Sequence, residues 1–161
     1  MPTGLARGCG PTAPMLRDRA DRGNLVRAIF LLWVGGRGVF SAVASADGGK
    51  TWETRGSAGT DVSFYSYSVV DENIQIVAFG TGNDSTPPPA LITYDSGWIW
   101  QPLELPFPGD MKPFGRFVES AERTADGQIV VVANYPDWEL NRGEGTRFMS
   151  TDNGATWQLV K

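Results

Sequence analysis

One polar and aromatic segment of this chain combines residue types that bind sugars with residue types that transfer protons. The segment 134–145 contains Tyr135, Asp137, Trp138, Glu139 and Arg142. Aromatic rings offer a flat apolar face to a sugar, and carboxylates bind hydroxyl groups or act as acid and base. We therefore expect a ligand-binding site here. The alternative is an ordinary polar surface loop whose tryptophan packs on a neighbouring element.

A second group of candidates lies in the preceding connecting segment, 106–115. Asp110 and Lys112 would contribute to the same binding site if both segments open on one side of the fold, and otherwise they are solvated loop charges. Glycoside hydrolysis requires two opposed carboxyl groups. Several acids of these segments meet that condition equally well, so the sequence assigns no catalytic residue.

Composition excludes several other classes of function. The 161 residues include no histidine and a single cysteine, Cys9, which rules out a Ser-His-Asp triad, a histidine zinc site and an intrachain disulfide. We therefore expect no metal and no cofactor. The net charge of −4 argues against nucleic acid as a partner.

The sequence contains no apolar run long enough to span a bilayer. The apolar stretch 28–34 resembles the core of an export signal, but Arg37 separates it from the small residues Ala44 and Ala46. A β-strand is the preferred interpretation. The compartment stays open, with a secreted, surface or virion-associated protein favoured over a membrane protein.

One eight-residue pattern occurs three times, with its aspartates 48 and 57 residues apart. A period near fifty indicates a propeller, solenoid or array. In each copy the Asp side chain can accept amide hydrogen bonds of its own turn, the Gly permits a positive φ, and the Trp can pack between neighbouring sheets. The copies are Ser45-Ala-Asp47-Gly-Gly49-Lys-Thr51-Trp52, Thr93-Tyr-Asp95-Ser-Gly97-Trp-Ile99-Trp100 and Ser150-Thr-Asp152-Asn-Gly154-Ala-Thr156-Trp157.

The repeated pattern resembles the Asp-box, or BNR repeat, of sialidases, xyloglucan-cleaving glycosidases, sortilin-type receptors and several phage and photosynthetic assembly proteins. Only Ile99, where Thr is expected, departs from it. The resemblance implies that the boxes are structural turns on the rim of a β-propeller, away from the ligand site. The Phe/Tyr-Arg-Ile-Pro motif of sialidases is absent, so no catalytic residue is carried over from that family.

The strand-like runs around the boxes predict an all-β fold, a β-propeller of four-stranded antiparallel blades with about three blades present. We expect a disordered leader at 1–24 and blades at 25–56, 57–108 and 109–161, the first of which has no convincing first strand. Three blades are too few to close a ring. The chain is therefore expected to be part of a longer propeller or to self-associate.

Three functions follow from this fold prediction. The preferred one is a module that binds a glycan or a protein within an extracellular, surface or phage assembly. The second is a sialidase-like glycoside hydrolase, truncated or completed by another subunit. The third is a structural scaffold for assembly.

Overall fold

The computed structural model describes residues 16–18, 26–34, 37–60, 63–80, 90–107, 117–134 and 145–160, and these form strands and turns without a helix. None of the described residues belongs to a helix that could cross a membrane. The twelve strands are β1 (Leu16–Asp18), β2 (Val26–Val34), β3 (Arg37–Ser45), β4 (Glu53–Thr60), β5 (Ser63–Val69), β6 (Gln75–Gly80), β7 (Ala90–Thr93), β8 (Gln101–Pro102), β9 (Phe117–Arg123), β10 (Ile129–Asn134), β11 (Thr146–Ser150) and β12 (Gln158–Val160).

The strands form three four-stranded sheets in which each strand pairs with its neighbours in the chain. Sheet 1 contains β1 to β4, sheet 2 contains β5 to β8 and sheet 3 contains β9 to β12, and all the pairings are antiparallel. The predicted all-β fold of four-stranded antiparallel units is thus confirmed. The sequence predicts strands at 116–123, 128–134, 147–150 and 157–160 in the third unit, and each agrees with a strand of sheet 3 to within one residue at either end.

Sheet 1 differs from the prediction at both of its ends. Strand β1 supplies the first strand that the sequence lacked and lies within the stretch 1–24 that was predicted as a disordered leader, most of which lies outside the described residues. Strand β4 continues to Thr60, so the predicted boundary between 56 and 57 falls inside it. Both strands are held by backbone pairing, which needs no apolar pattern in the sequence.

Sheet 2 is covered on both faces by its neighbours. Four successive residues of β6, Ile76 to Phe79, are each at most 2% exposed. In a strand covered on one face only, alternate residues would reach solvent. The continuous burial therefore means that sheet 1 packs on one face of sheet 2 and sheet 3 on the other.

Two apolar clusters fill the spaces between the sheets. Between sheets 1 and 2, the Phe40 ring centroid lies 5.6 Å from that of Phe79 and 5.4 Å from that of Trp100. Between sheets 2 and 3, the cluster includes Ile92 and Phe148, which are at most 1% exposed. Burying a side chain of this size stabilises a fold by roughly 1.5–3 kcal/mol.

Serine side chains join the first strands of sheets 2 and 3. The Ser66 hydroxyl donates to the carbonyl oxygen of Val118 at 2.6 Å, and the amide of Ala121 donates to the Ser68 hydroxyl at 3.0 Å. These bonds satisfy backbone groups of β9 that have no strand partner on that side. They hold the first strands of the two sheets side by side.

Candidate functional site

The residues that the sequence analysis selected for ligand binding lie outside the described residues. They are Tyr135, Asp137, Trp138, Glu139, Arg142, Asp110 and Lys112. Their place in the chain is nevertheless bounded by described strands. Segment 108–116 connects β8 to β9, and segment 135–144 connects β10 to β11.

The topology separates these segments from the three boxes. In an up-and-down antiparallel sheet, successive connections alternate between the two ends of the strands. Each box joins the third and fourth strands of its sheet, so the boxes share one end, here called the box edge. The connections 81–89, 108–116 and 135–144 join strand ends at the other end, here called the opposite edge.

Hydrogen bonds show that the turn between the first and second strands of a sheet lies beside the box of the same sheet. The amide of Ser96 donates to the carbonyl oxygen of Asn73 at 2.9 Å, and its hydroxyl donates to that of Glu72 at 2.7 Å. In sheet 3, Arg123 Nη1 donates to Asn153 Oδ1 at 3.1 Å. In sheets 2 and 3, the box is therefore hydrogen-bonded to the turn beside it.

The first box is closed by its own carboxylate. Asp47 Oδ1 accepts the amides of Lys50 at 2.9 Å and Thr51 at 2.8 Å, and Oδ2 accepts the Thr51 hydroxyl at 2.7 Å. The Ser45 hydroxyl donates to Asp47 at 2.7 Å and accepts the Gly49 amide at 2.7 Å. The Thr51 amide and hydroxyl, followed by Ser45, hold the pKa of Asp47 well below its usual range.

The third box repeats this arrangement. Asp152 accepts the Thr156 hydroxyl at 2.6 Å and the Thr156 amide at 2.9 Å, and Ser150 donates to it at 2.7 Å. The Thr156 hydroxyl and amide, with Ser150, lower the pKa of Asp152 to about 2. A carboxylate bonded in this way stays ionised at neutral pH and is a poor general acid.

The second box lacks one of these bonds because Ile99 replaces the threonine. Asp95 accepts the amides of Trp98 at 3.0 Å and Ile99 at 2.9 Å, and the Thr93 hydroxyl at 2.7 Å. Burial opposes a lower pKa, but these donors outweigh it and the pKa of Asp95 is lowered. The Ile99 side chain is 70% exposed and adds nothing to the turn.

Two successive residues of every box have a left-handed backbone. The predicted positive φ occurs at Gly49, Gly97 and Gly154, with values of 92°, 95° and 88°. The preceding residues, Gly48, Ser96 and Asn153, also have positive φ, at 74°, 64° and 59°. The sequence analysis did not predict a positive φ at this second position. Of its three residues, only Gly48 and Asn153 are of types that often adopt a positive φ.

The box tryptophans have both roles that their chemistry predicts. The indole N–H groups of Trp52 and Trp100 each donate to the carbonyl oxygen of their own box glycine at 3.0 Å. The Trp100 ring packs on Phe40 of sheet 1, and Trp157 packs against the cluster between sheets 2 and 3. In the second box, the Trp100 indole thereby ties the turn to the apolar interior.

An open cleft of about 310 Å³ lies at the box edge where the second and third boxes meet. The side chains of Tyr94 and Trp157 line it together with Gln101 and Glu104. The Tyr94 hydroxyl donates to the carbonyl oxygen of Gly154 at 2.7 Å, and burial raises the pKa of Tyr94. The sequence analysis did not find this cleft, because it joins residues of two repeats.

The described residues contain no cluster of acidic or sulfur side chains suited to a metal ion. Their three box carboxylates accept hydrogen bonds within their own turns. The turns of the box edge are thus closed by their own hydrogen bonds, and the candidate ligand residues belong to the segments that connect strand ends at the opposite edge.

Comparison with known proteins supports the identity of the repeat. No curated protein matches the chain. The family model of the BNR/Asp-box repeat matches residues 148–159, which span the third box. The chain therefore carries a BNR/Asp-box repeat at this position, and propellers of the sialidase superfamily are consistent with it.

Proposed function

We propose that the three sheets are blades of a β-propeller and that the chain is a binding module, with a glycan as its ligand at the opposite edge. The observation that carries this proposal is the position of the boxes. All three lie at one edge, and their carboxylates are bonded within the turns. The other edge is left for recognition, because rigid scaffolds present binding groups on their connecting segments.

The residue types of segment 135–144 support a carbohydrate ligand. Trp138 and Tyr135 supply rings for stacking, and Asp137 and Arg142 supply groups that hydrogen-bond hydroxyls. Sites for small ligands commonly combine apolar aromatic surface with a few polar groups in this way.

The test compares two tryptophan-to-alanine variants on a panel of immobilised glycans, followed by calorimetric titration with the strongest ligand. We expect Trp138→Ala to weaken binding about tenfold or more, equivalent to about 1.4 kcal/mol. The matched control is Trp98→Ala, because Trp98 lies at the box edge and is 49% exposed. Its ring stacks on Arg55, whose Cζ atom lies 4.9 Å from the ring centroid. The control should bind like the wild type.

Three results would contradict this proposal. Loss of binding in Trp98→Ala but not in Trp138→Ala would place the ligand at the box edge. Failure to bind any glycan would reject the carbohydrate ligand and favour a protein ligand or a scaffold. Turnover of a fluorogenic sialoside that disappears in Asp137→Asn would establish the glycoside hydrolase alternative.

A further inference from the structure

The cleft beside Tyr94 lies at the second of two equivalent junctions between sheets. In the first junction, strand β4 of sheet 1 faces the second box. In the second junction, strand β8 of sheet 2 and the residues after it face the third box. The pairs β3–β4 and β7–β8 have the same register relative to their boxes, so the residues of the two junctions can be matched one to one. The matched residues are Arg55 and Leu103, Gly56 and Glu104, and Trp98 and Ala155.

In the first junction, the strand and the box are in direct contact. A Cβ added to Gly56 would collide with the carbonyl oxygen of Gly97 and lie 2.7 Å from that of Trp98, so the two backbones touch. The Trp98 indole covers the Arg55 side chain, whose Cζ atom lies 4.9 Å from the ring centroid. An aromatic ring and a cation thus stack on each other at this place.

The second junction is open because two of its residues differ in size from those of the first. Glu104 stands at the position of Gly56, and with a side chain there the same close approach of strand and box is sterically impossible. Ala155 stands at the position of Trp98 and has no ring to cover the strand. The cleft of about 310 Å³ lies between these residues, with Leu103 in its lining. Sites for small organic ligands begin at about this volume.

The side chains that line the cleft suit an aromatic ligand. Tyr94 and Trp157 supply ring surface, and Leu103, which is 5% exposed, supplies apolar surface. The amide of Gln101 and the carboxylate of Glu104 are the polar side-chain groups of the lining. Apolar and aromatic surface with a few polar groups is the usual composition of a small-ligand site.

The charges around the cleft favour a ligand with a positive charge. Glu104 is an exposed carboxylate of the lining. Burial is the main cause of the raised pKa of Tyr94, and the negative charge of Asp152 adds to it, so the field of a second carboxylate reaches the cleft. Arg123, which bonds to the third box, is already paired with Asp71.

We propose that this cleft binds a small arylalkylamine, whose aromatic ring takes the place that the Trp98 indole has in the first junction and whose ammonium group pairs with Glu104. The ligand supplies the ring and the cation that Trp98 and Arg55 supply within the chain. The site lies at the box edge. It therefore does not depend on the glycan ligand proposed for the opposite edge.

The first test titrates the protein with tryptamine and with indole-3-propionate, which share a ring system and have opposite charges. The NMR signal of the Trp157 indole N–H group reports both affinities. We expect tryptamine to bind with a Kd of about 1 mM or lower, as is usual for a ligand of about twelve non-hydrogen atoms. Indole-3-propionate should bind about tenfold more weakly, because its carboxylate would face Glu104. Equal affinities, or no response to tryptamine, would overturn the proposal.

A variant that fills the cleft tests the location of the ligand. Ala155→Trp introduces the residue of the second box at an exposed position, and its indole should cover the cleft and abolish tryptamine binding. The matched control is Ala125→Trp, which adds the same ring in an exposed turn at the box edge and should bind tryptamine like the wild type. Unchanged binding in Ala155→Trp, or an equal loss in the control, would show that the ligand binds elsewhere.

Glu104→Gln tests the charge even if Ala155→Trp folds poorly. It keeps the size of an exposed side chain and removes its charge. Tryptamine should then bind about fivefold more weakly, as expected for the loss of a surface ion pair, and indole-3-propionate should bind at least as well as before. An unchanged ratio of the two affinities would refute the pairing with Glu104.

Discussion

At the scale of single residues, the second box tests whether the hydroxyl of the box threonine stabilises the turn. Ile99→Thr would let a hydroxyl donate to Asp95, as Thr51 donates to Asp47. It would also remove a side chain that is 70% exposed. We expect the free energy of unfolding to rise by about 0.5–1 kcal/mol, a value reduced for solvent exposure, as measured by urea denaturation.

The control for this substitution is Ile99→Val, which has the shape of threonine without its hydroxyl. The pH dependence supplies a second check, because the lowered pKa of Asp95 in the folded state stabilises the protein when the carboxyl is ionised. The gain from threonine should be complete above the ordinary pKa of 3.8 and disappear as the pH falls through the lowered value. An equal gain from valine, or a gain that persists in acid, would show that the hydroxyl is not its source.

At the scale of elements, strand β4 approaches the second box so closely that Gly56 of the strand has no room for a side chain. A Cβ on Gly56 would collide with the carbonyl oxygens of Gly97 and Trp98, the latter at 2.7 Å. We expect Gly56→Ala to lower the free energy of unfolding by about 1–3 kcal/mol, because backbone atoms cannot rotate aside. Urea denaturation measures this loss. The adjacent exposed Ser57→Ala should have little effect, and equal stability of the two variants would mean that sheets 1 and 2 are not packed this closely.

The elements also show which features the sequence can predict. Sheet 3 was predicted closely because Ile129 to Ala133 form an apolar run between polar turns and because the third box marks the next turn. Strand β1 was not predicted, because three residues paired through their backbone carry no periodic signal. The cleft beside Tyr94 was not predicted either, since it depends on how two repeats pack. The candidate ligand residues remain predictions.

At the scale of the whole molecule, the three sheets differ in how much of their surface is covered. In a linear array of repeats, stability depends on each unit and on its contacts with its neighbours. Sheet 2 has a neighbour on each face, and all of Ile76 to Phe79 in β6 are buried. In β10 of sheet 3, Ile129 and Val131 are buried while Val130 and Val132 are half-buried. The middle sheet should therefore be the last to open.

Hydrogen exchange tests this order of stability directly. The amides of β6 should exchange more slowly than those of β10, because opening β6 breaks contacts on both faces of sheet 2. Slower exchange in β10 than in β6 would contradict the central position of sheet 2.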